Sequence, residues 1–140
     1  MNQTMSAIAN ATQQAKTALD NQTHFGMRTF GNGKYSVSLA TNLNSENVAV
    51  VVYYRGTAVV QITKTEIKMQ TYSYFTPTTK SVINAALFGI RSPFSVYQQD
   101  FQWYVHCQGE AWSTKTDIPF SDPMTLLLPT KHAAPVLAVA

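Results

Sequence analysis

Apolar and polar residues alternate along residues 35–40, with Tyr35, Val37 and Leu39 on one side and serines between them. That period of two is the signature of a half-buried strand. Residues 48–54 form a continuous β-branched and aromatic run instead, the pattern of a central strand covered on both faces. Residues 57–63 and 66–72 follow as two more strands. Gly31-Asn-Gly33, the polar segment 41–47 and Arg55-Gly56 supply the turns. Connections this short join only antiparallel neighbours, so the pattern predicts a meander of about four strands. Alternation returns at residues 94–97 and 102–107, with Gln98-Gln-Asp100 as a turn between two further strands. Met124-Thr-Leu-Leu-Leu128 is a last short apolar segment, ended by Pro129.

Between the two sets of strands the period changes to that of a helix. Val82, Ile83, Ala86 and Leu87 make one apolar stripe, with Lys80, Ser81 and Asn84 toward the other side. Pro77 biases Thr76 toward extended backbone, so the helix is expected to begin after it, capped by Thr78 or Thr79. Gly89 is the expected C-terminal stop, through the left-handed conformation it tolerates, with Arg91 just beyond at the negative end of the dipole. About three turns of helix are marginal alone, so this one packs on the sheet. At the N-terminus Ile8, Ala11, Ala15 and Leu19 fall at helical spacing, but the apolar face is thin and the segment reads as a weak helix.

These elements give an α+β fold: an antiparallel sheet of about five to six strands, one main helix on a face and a weak N-terminal helix. Residues 1–22 read as a polar, weakly helical extension, 23–128 as a single domain and 129–140 as an Ala/Pro-rich tail. A chain of 140 residues is one domain by size and long enough to bury a core.

Composition narrows the function classes. Hydrophobic residues make up 45% and charged ones 12%, which excludes a polyelectrolyte-like disordered chain. The lone Cys107 allows no intrachain disulfide and fits a reducing cytoplasm. No secretory signal and no apolar run long enough to span a membrane is expected. The net charge of +3 is uneven. Seven basic residues stand against two acidic ones between residues 28 and 91, and two against four from residue 92 onward. The basic half suits an anionic partner, though at this density it also suits an ordinary solvated surface.

Four short pieces, in order, resemble a set of small accessory proteins of bacteriophages and mobile elements. They are Tyr54-Arg-Gly-Thr-Ala58, Thr76-Pro-Thr-Thr-Lys-Ser-Val-Ile-Asn84 after an aromatic residue, Gln102-Trp-Tyr-Val105 and Phe120-Ser-Asp-Pro-Met124. The family pattern is His-Gly-Thr, Trp-x-Thr-x-Thr-Thr-Lys-Ser-Arg-Ile-Asn, Trp-x-Val and Phe-x-Asp-Gly-Met. Here Arg55 replaces the His, Val82 the Arg and Pro123 the Gly. The resemblance covers roughly residues 35–125 and is most specific in the helix segment. It implies a phage-type accessory protein and brings no activity and no site residues.

Catalytic patterns are scarce. His106 and Cys107 are adjacent in a strand, so their side chains point to opposite faces and form no dyad. His24, His106 and His132 lack metal-ligand spacing, and one cysteine makes no zinc site. Asp117 and Asp122 lie five apart in loop and read mainly as turn caps rather than an acid–base pair. No phosphate-binding loop or dinucleotide fingerprint occurs. The expectation is therefore a protein that is not an enzyme, with no cofactor, no metal and no small-molecule substrate.

Aromatic residues offer the better lead. Tyr53, Tyr54, Tyr72, Tyr74, Phe75, Tyr97, Phe101, Trp103, Tyr104 and Trp112 crowd the strands, with Arg55, Lys64, Lys68 and Lys80 among them. Rings and cations on one face suit single-stranded nucleic acid, whereas rings alone are ordinary strand packing. Lys64 and Lys68 are four apart and share a side if no turn intervenes. The candidate binding residues are thus Arg55, Lys64, Lys68, Tyr72, Tyr74 and Lys80. They suit nucleic acid or, as an aromatic interface, a host protein that the chain inhibits. A structural or assembly role in a virion, with oligomerisation, is the third expectation.

Overall fold

The computed structural model describes residues 1–108, 117–128 and 137–138. Trp112, His132 and Pro129 lie outside the described residues. The fold is α+β, as the alternation of periods predicts. The elements run α1 (Gln3–Asn21), β1 (Arg28–Phe30), β2 (Tyr35–Thr41), β3 (Asn47–Tyr54), β4 (Thr57–Ile62), β5 (Glu66–Met69), α2 (Pro77–Gly89), β6 (Phe94–Gln99), β7 (Gln102–Cys107), β8 (Ile118–Pro119), β9 (Met124–Leu127) and β10 (Leu137–Ala138). The main sheet is antiparallel, in the order β1-β2-β3-β4-β5-β9-β10, and a small sheet has the order β6-β7-β8.

Register puts one buried row across the main sheet. Val37 stands opposite Val52, Val52 opposite Val60, Val60 opposite Met69, and Met69 opposite Met124. All five are buried, and α1 and α2 lie on their side. The small sheet packs on α2 and sends Phe94, Val96, Trp103 and Val105 into the same core. The run in β3 is apolar on both faces, yet the helices cover only one. Val51, on the other face, is buried between its ladder neighbours Ser38 and Gln61.

Both helices depart from expectation in instructive ways. α1 is 19 residues long, capped by Asn2, and buries Met5, Ile8, Ala9, Ala11, Thr12, Ala15, Ala18 and Leu19. Its thin alanine face lets it approach α2 closely. At the crossing, a Cβ on Gly89 would stand 2.3 Å from the Ala9 carbonyl oxygen. Gly89 is therefore a packing residue rather than the left-handed stop; the helix ends at Ile90, with φ −87°, and the left-handed residue is Arg91, with φ 56°. The N-cap is Thr76, whose Oγ1 accepts from the Thr79 N–H at 3.1 Å, and Pro77 occupies the first helical position. Proline suits that position because its missing N–H would have no partner there.

Candidate functional site

Three backbone features converge at one end of the main sheet. The β3–β4 hairpin turns through Arg55 and Gly56, both left-handed, with φ 51° and 79°. The loop before α2 holds two more left-handed residues, Tyr72 at φ 54° and Ser73 at φ 69°. The first turn of α2 completes the set. A left-handed backbone costs a residue other than glycine roughly 1–2 kcal/mol, so each such position needs outside support. For the loop, Asp122 provides it. Its carboxylate accepts from the Thr71 N–H at 2.8 Å, the Thr71 hydroxyl at 2.6 Å and the Ser73 N–H at 2.9 Å. Burial pushes the Asp122 carboxyl up, but these hydrogen bonds outweigh it and hold its pKa below the ordinary value. For the hairpin, the Arg55 N–H donates to the Lys34 carbonyl at 2.7 Å, and Tyr35 stacks on Tyr54 at 5.4 Å.

A groove of about 350 Å³ lies among these parts, walled by Tyr54, Arg55, Thr57 and Val59 on one side and Thr71, Tyr74, Thr76 and Thr79 on the other. Three of its hydroxyls are committed. Thr71 donates to Asp122, and Thr76 and Thr79 bond each other at 2.9 Å. Among the described residues, nothing hydrogen-bonds the Tyr54, Thr57 or Tyr74 hydroxyls or the Arg55 guanidinium. The last sits over the Tyr54 ring, 5.7 Å from its centroid. Tyr74, which lines the groove, is 68% exposed, and Tyr72, in the same loop, is 49% exposed. Phe75 is also about half exposed, and its ring meets those of Trp103 and Phe120 edge to face.

The six sequence candidates divide. Arg55 and Tyr74 line the groove, whereas Tyr72, exposed in the same loop as Tyr74, and Lys80, half-buried in the first turn of α2, do not. Lys64 and Lys68 are elsewhere. A turn does intervene between them: the Thr63 N–H donates to the Glu66 carbonyl at 2.9 Å, and the Thr63 hydroxyl accepts from the Glu66 N–H at 3.0 Å. Lys64 sits exposed in that turn, at the opposite end of β4 from Arg55. Lys68 alternates with buried Ile67 and Met69 and so faces away from the helices. Lys34, absent from the candidates, lies at the groove end through its bond to Arg55. Its signal is the Gly31-Asn-Gly33 turn that precedes it, which returns the chain beside the β3–β4 hairpin.

Residues 5–126 match the family model described as Kyanoviridae Gp96 protein, a bacteriophage family. The chain belongs to the Kyanoviridae Gp96 family. No curated protein and no solved structure matches it.

The part shared with the Gp96 family contains the whole groove and a second cluster that the sequence pattern does not reveal. Tyr97 donates to Asp117 Oδ2 at 2.5 Å, and His106 Nδ1 lies 2.9 Å from Asp117 Oδ1. Tyr97 also stacks on Tyr104, its cross-strand partner, at 5.6 Å. The Tyr97 and His106 bonds pull the Asp117 carboxyl below its ordinary pKa, and the same carboxylate raises that of Tyr97. Asp117 immediately precedes the short strand β8, so this cluster fastens β8 to β6 and β7. Ser95 stands opposite His106 in the ladder, and no hydrogen bond joins their side chains. Cys107 points into the core, opposite His106, and burial raises its thiol pKa. Among the described residues no group of three or more His, Cys, Asp or Glu side chains is placed to hold a metal ion. No described helix is long and apolar enough to cross a membrane.

Proposed function

We propose that this Gp96-family phage protein is a non-enzymatic binder that engages single-stranded nucleic acid at the groove end of its main sheet. The observation that carries the reading is the meeting of Arg55 with the exposed ring of Tyr74 in one groove, with Tyr72 exposed two residues before Tyr74 in the same loop. Bases stack on such rings and cations follow the phosphates. Lys34 and Lys80 add positive charge at the same end, where the carboxylate of Asp122 is already engaged by Thr71 and Ser73. Fluorescence anisotropy of labelled single-stranded DNA and RNA, repeated over a range of salt, tests the reading. Affinity is expected to fall with salt by a slope of about 0.7 per phosphate contacted.

A protein partner, such as a host factor that the phage protein inhibits, is the second reading, and it has its own observation. Phe101 is 96% exposed at the tip of the β6–β7 hairpin, where it and Asp100 are both left-handed. A large ring held out at such a position suits the anchor of a protein interface. A flat titration against every oligonucleotide, with a protein retained from host extract after nuclease treatment, favours that reading.

A further inference from the structure

We infer that the groove receives a single unstacked base of the bound strand and that Arg55 reads the acceptor edge of that base, with guanine preferred. The inference rests on the nucleic-acid reading above and specifies what its central groove recognises. Size limits the occupant first. A volume of about 350 Å³ is at the small end of ligand pockets. It admits one base with its sugar and excludes a duplex.

The chemistry of the walls then favours a base over a phosphate in the groove itself. The N-terminal end of α2 has little to offer an anion in the groove: Pro77 has no N–H, the Thr79 N–H is taken by the Thr76 hydroxyl, the Lys80 N–H by the Thr76 carbonyl, and Thr78 does not line the groove. Among the side chains that line the groove, those without a hydrogen-bond partner among the described residues are the hydroxyls of Tyr54, Thr57 and Tyr74 and the guanidinium of Arg55. Hydroxyls both donate and accept, so they accommodate any base edge. Arg55 only donates, in a fork that matches two adjacent acceptors, and guanine presents such a pair in O6 and N7. The guanidinium also lies over the Tyr54 ring, 5.7 Å from its centroid, at the left-handed tip of the hairpin. Tyr74 supplies an exposed ring at the opening on which the entering base stacks.

The test uses the full chain and short single-stranded oligothymidylates whose central residue is replaced by guanine, adenine or an abasic sugar, read by fluorescence anisotropy at constant salt. Guanine at the centre is expected to bind most tightly and the abasic strand most weakly. One bidentate contact corresponds to a discrimination of roughly 5- to 150-fold. Arg55→Lys keeps the charge and is expected to retain the salt slope while erasing the preference for guanine. Tyr74→Ala, at an exposed site that does not threaten folding, is expected to weaken guanine and adenine strands alike and leave the abasic strand unchanged. If the oligonucleotides bind but the abasic strand binds as well as the others, the single-base groove is wrong and the nucleic-acid reading survives. If no oligonucleotide binds, both fall.

Discussion

The side-chain amide of Asn84 pairs with the backbone of Val96 as a neighbouring strand would. Nδ2 donates to the Val96 carbonyl at 2.8 Å, and Oδ1 accepts from the Val96 N–H at 2.7 Å. β6 is the outer strand of the small sheet, so one helical side chain covers an edge that would otherwise be open. The pair also fixes how α2 sits against that sheet.

Asn84→Ala is therefore expected to destabilise the fold by about 1–3 kcal/mol, the usual consequence of leaving backbone groups without partners. Asn84→Asp keeps the acceptor and loses the donor, and is expected to fall between Ala and the parent. Urea unfolding measures both. A change under about 0.5 kcal/mol for Ala, the range of ordinary surface substitutions, means that water replaces the amide and the pairing is dispensable.

The crossing of α1 and α2 gives a prediction of unusual sign. In an exposed helix, Gly→Ala stabilises by roughly 0.5–1 kcal/mol because glycine loses more backbone freedom on folding. At position 89 the added methyl would meet the Ala9 carbonyl oxygen at 2.3 Å. Gly89→Ala is expected instead to cost about 1–3 kcal/mol, the range for overpacking. Chemical denaturation decides it, and a stabilised variant would contradict the close crossing.

The same residue shows where the sequence can be read and where it cannot. Strand and helix positions follow from periods of two and 3.6, which depend only on neighbours along the chain, so β2 to β4, α2 and β7 lie close to where the pattern puts them. The role of Gly89 depends on Ala9, eighty residues earlier, and no local rule links them. α1 reads as weak for a related reason: alanines add little to an apolar stripe, yet they are what allows a close helix pair. In the groove, Arg55 and Tyr74 are legible as a hairpin tip and an aromatic loop. Lys64 and Lys68 do not share a face because Thr63 closes a turn on Glu66, reversing the chain between them. The cluster of His106, Asp117 and Tyr97 has only one local clue, the exposed alternation of β7. Asp117 lies 11 residues from His106 and 20 from Tyr97 along the chain, and no local rule brings it to either.

Acid should weaken the fold through two carboxylates. Asp122 and Asp117 both have folded-state pKa values below their unfolded ones. Each therefore contributes stability that is fully present above the unfolded value, near 4, and lost as pH falls through the lower folded value. Asp122→Asn is expected to be less stable than the parent at neutral pH, because it no longer offers a charged acceptor to Thr71 and Ser73. It is also expected to lose less stability between pH of about 5 and about 2, having one carboxylate fewer to protonate. Thermal unfolding across that range measures both effects. Parallel curves for the two proteins would show that Asp122 does not respond to acid as its hydrogen bonds require.

The division of the six candidate residues makes a prediction that depends on position and not on charge. Lys34 and Arg55 meet at the groove end through the Arg55 N–H and the Lys34 carbonyl, whereas Lys64 and Lys68 lie in or beyond the turn at the far end of β4. Replacing either pair with glutamine removes the same two positive charges. If the phosphates of a single strand run past the groove while Arg55 engages a base, the Lys34/Arg55 double variant should weaken binding and flatten the dependence of affinity on salt by roughly 0.7, for the one phosphate that Lys34 no longer neutralises. The Lys64/Lys68 variant should leave that slope unchanged. Both substitutions fall on exposed or half-buried side chains, so far-ultraviolet circular dichroism is expected to match the parent and rule out unfolding as the cause. Equal flattening by the two variants would mean that the protein responds only to its overall charge, and the groove would lose its claim to be the site.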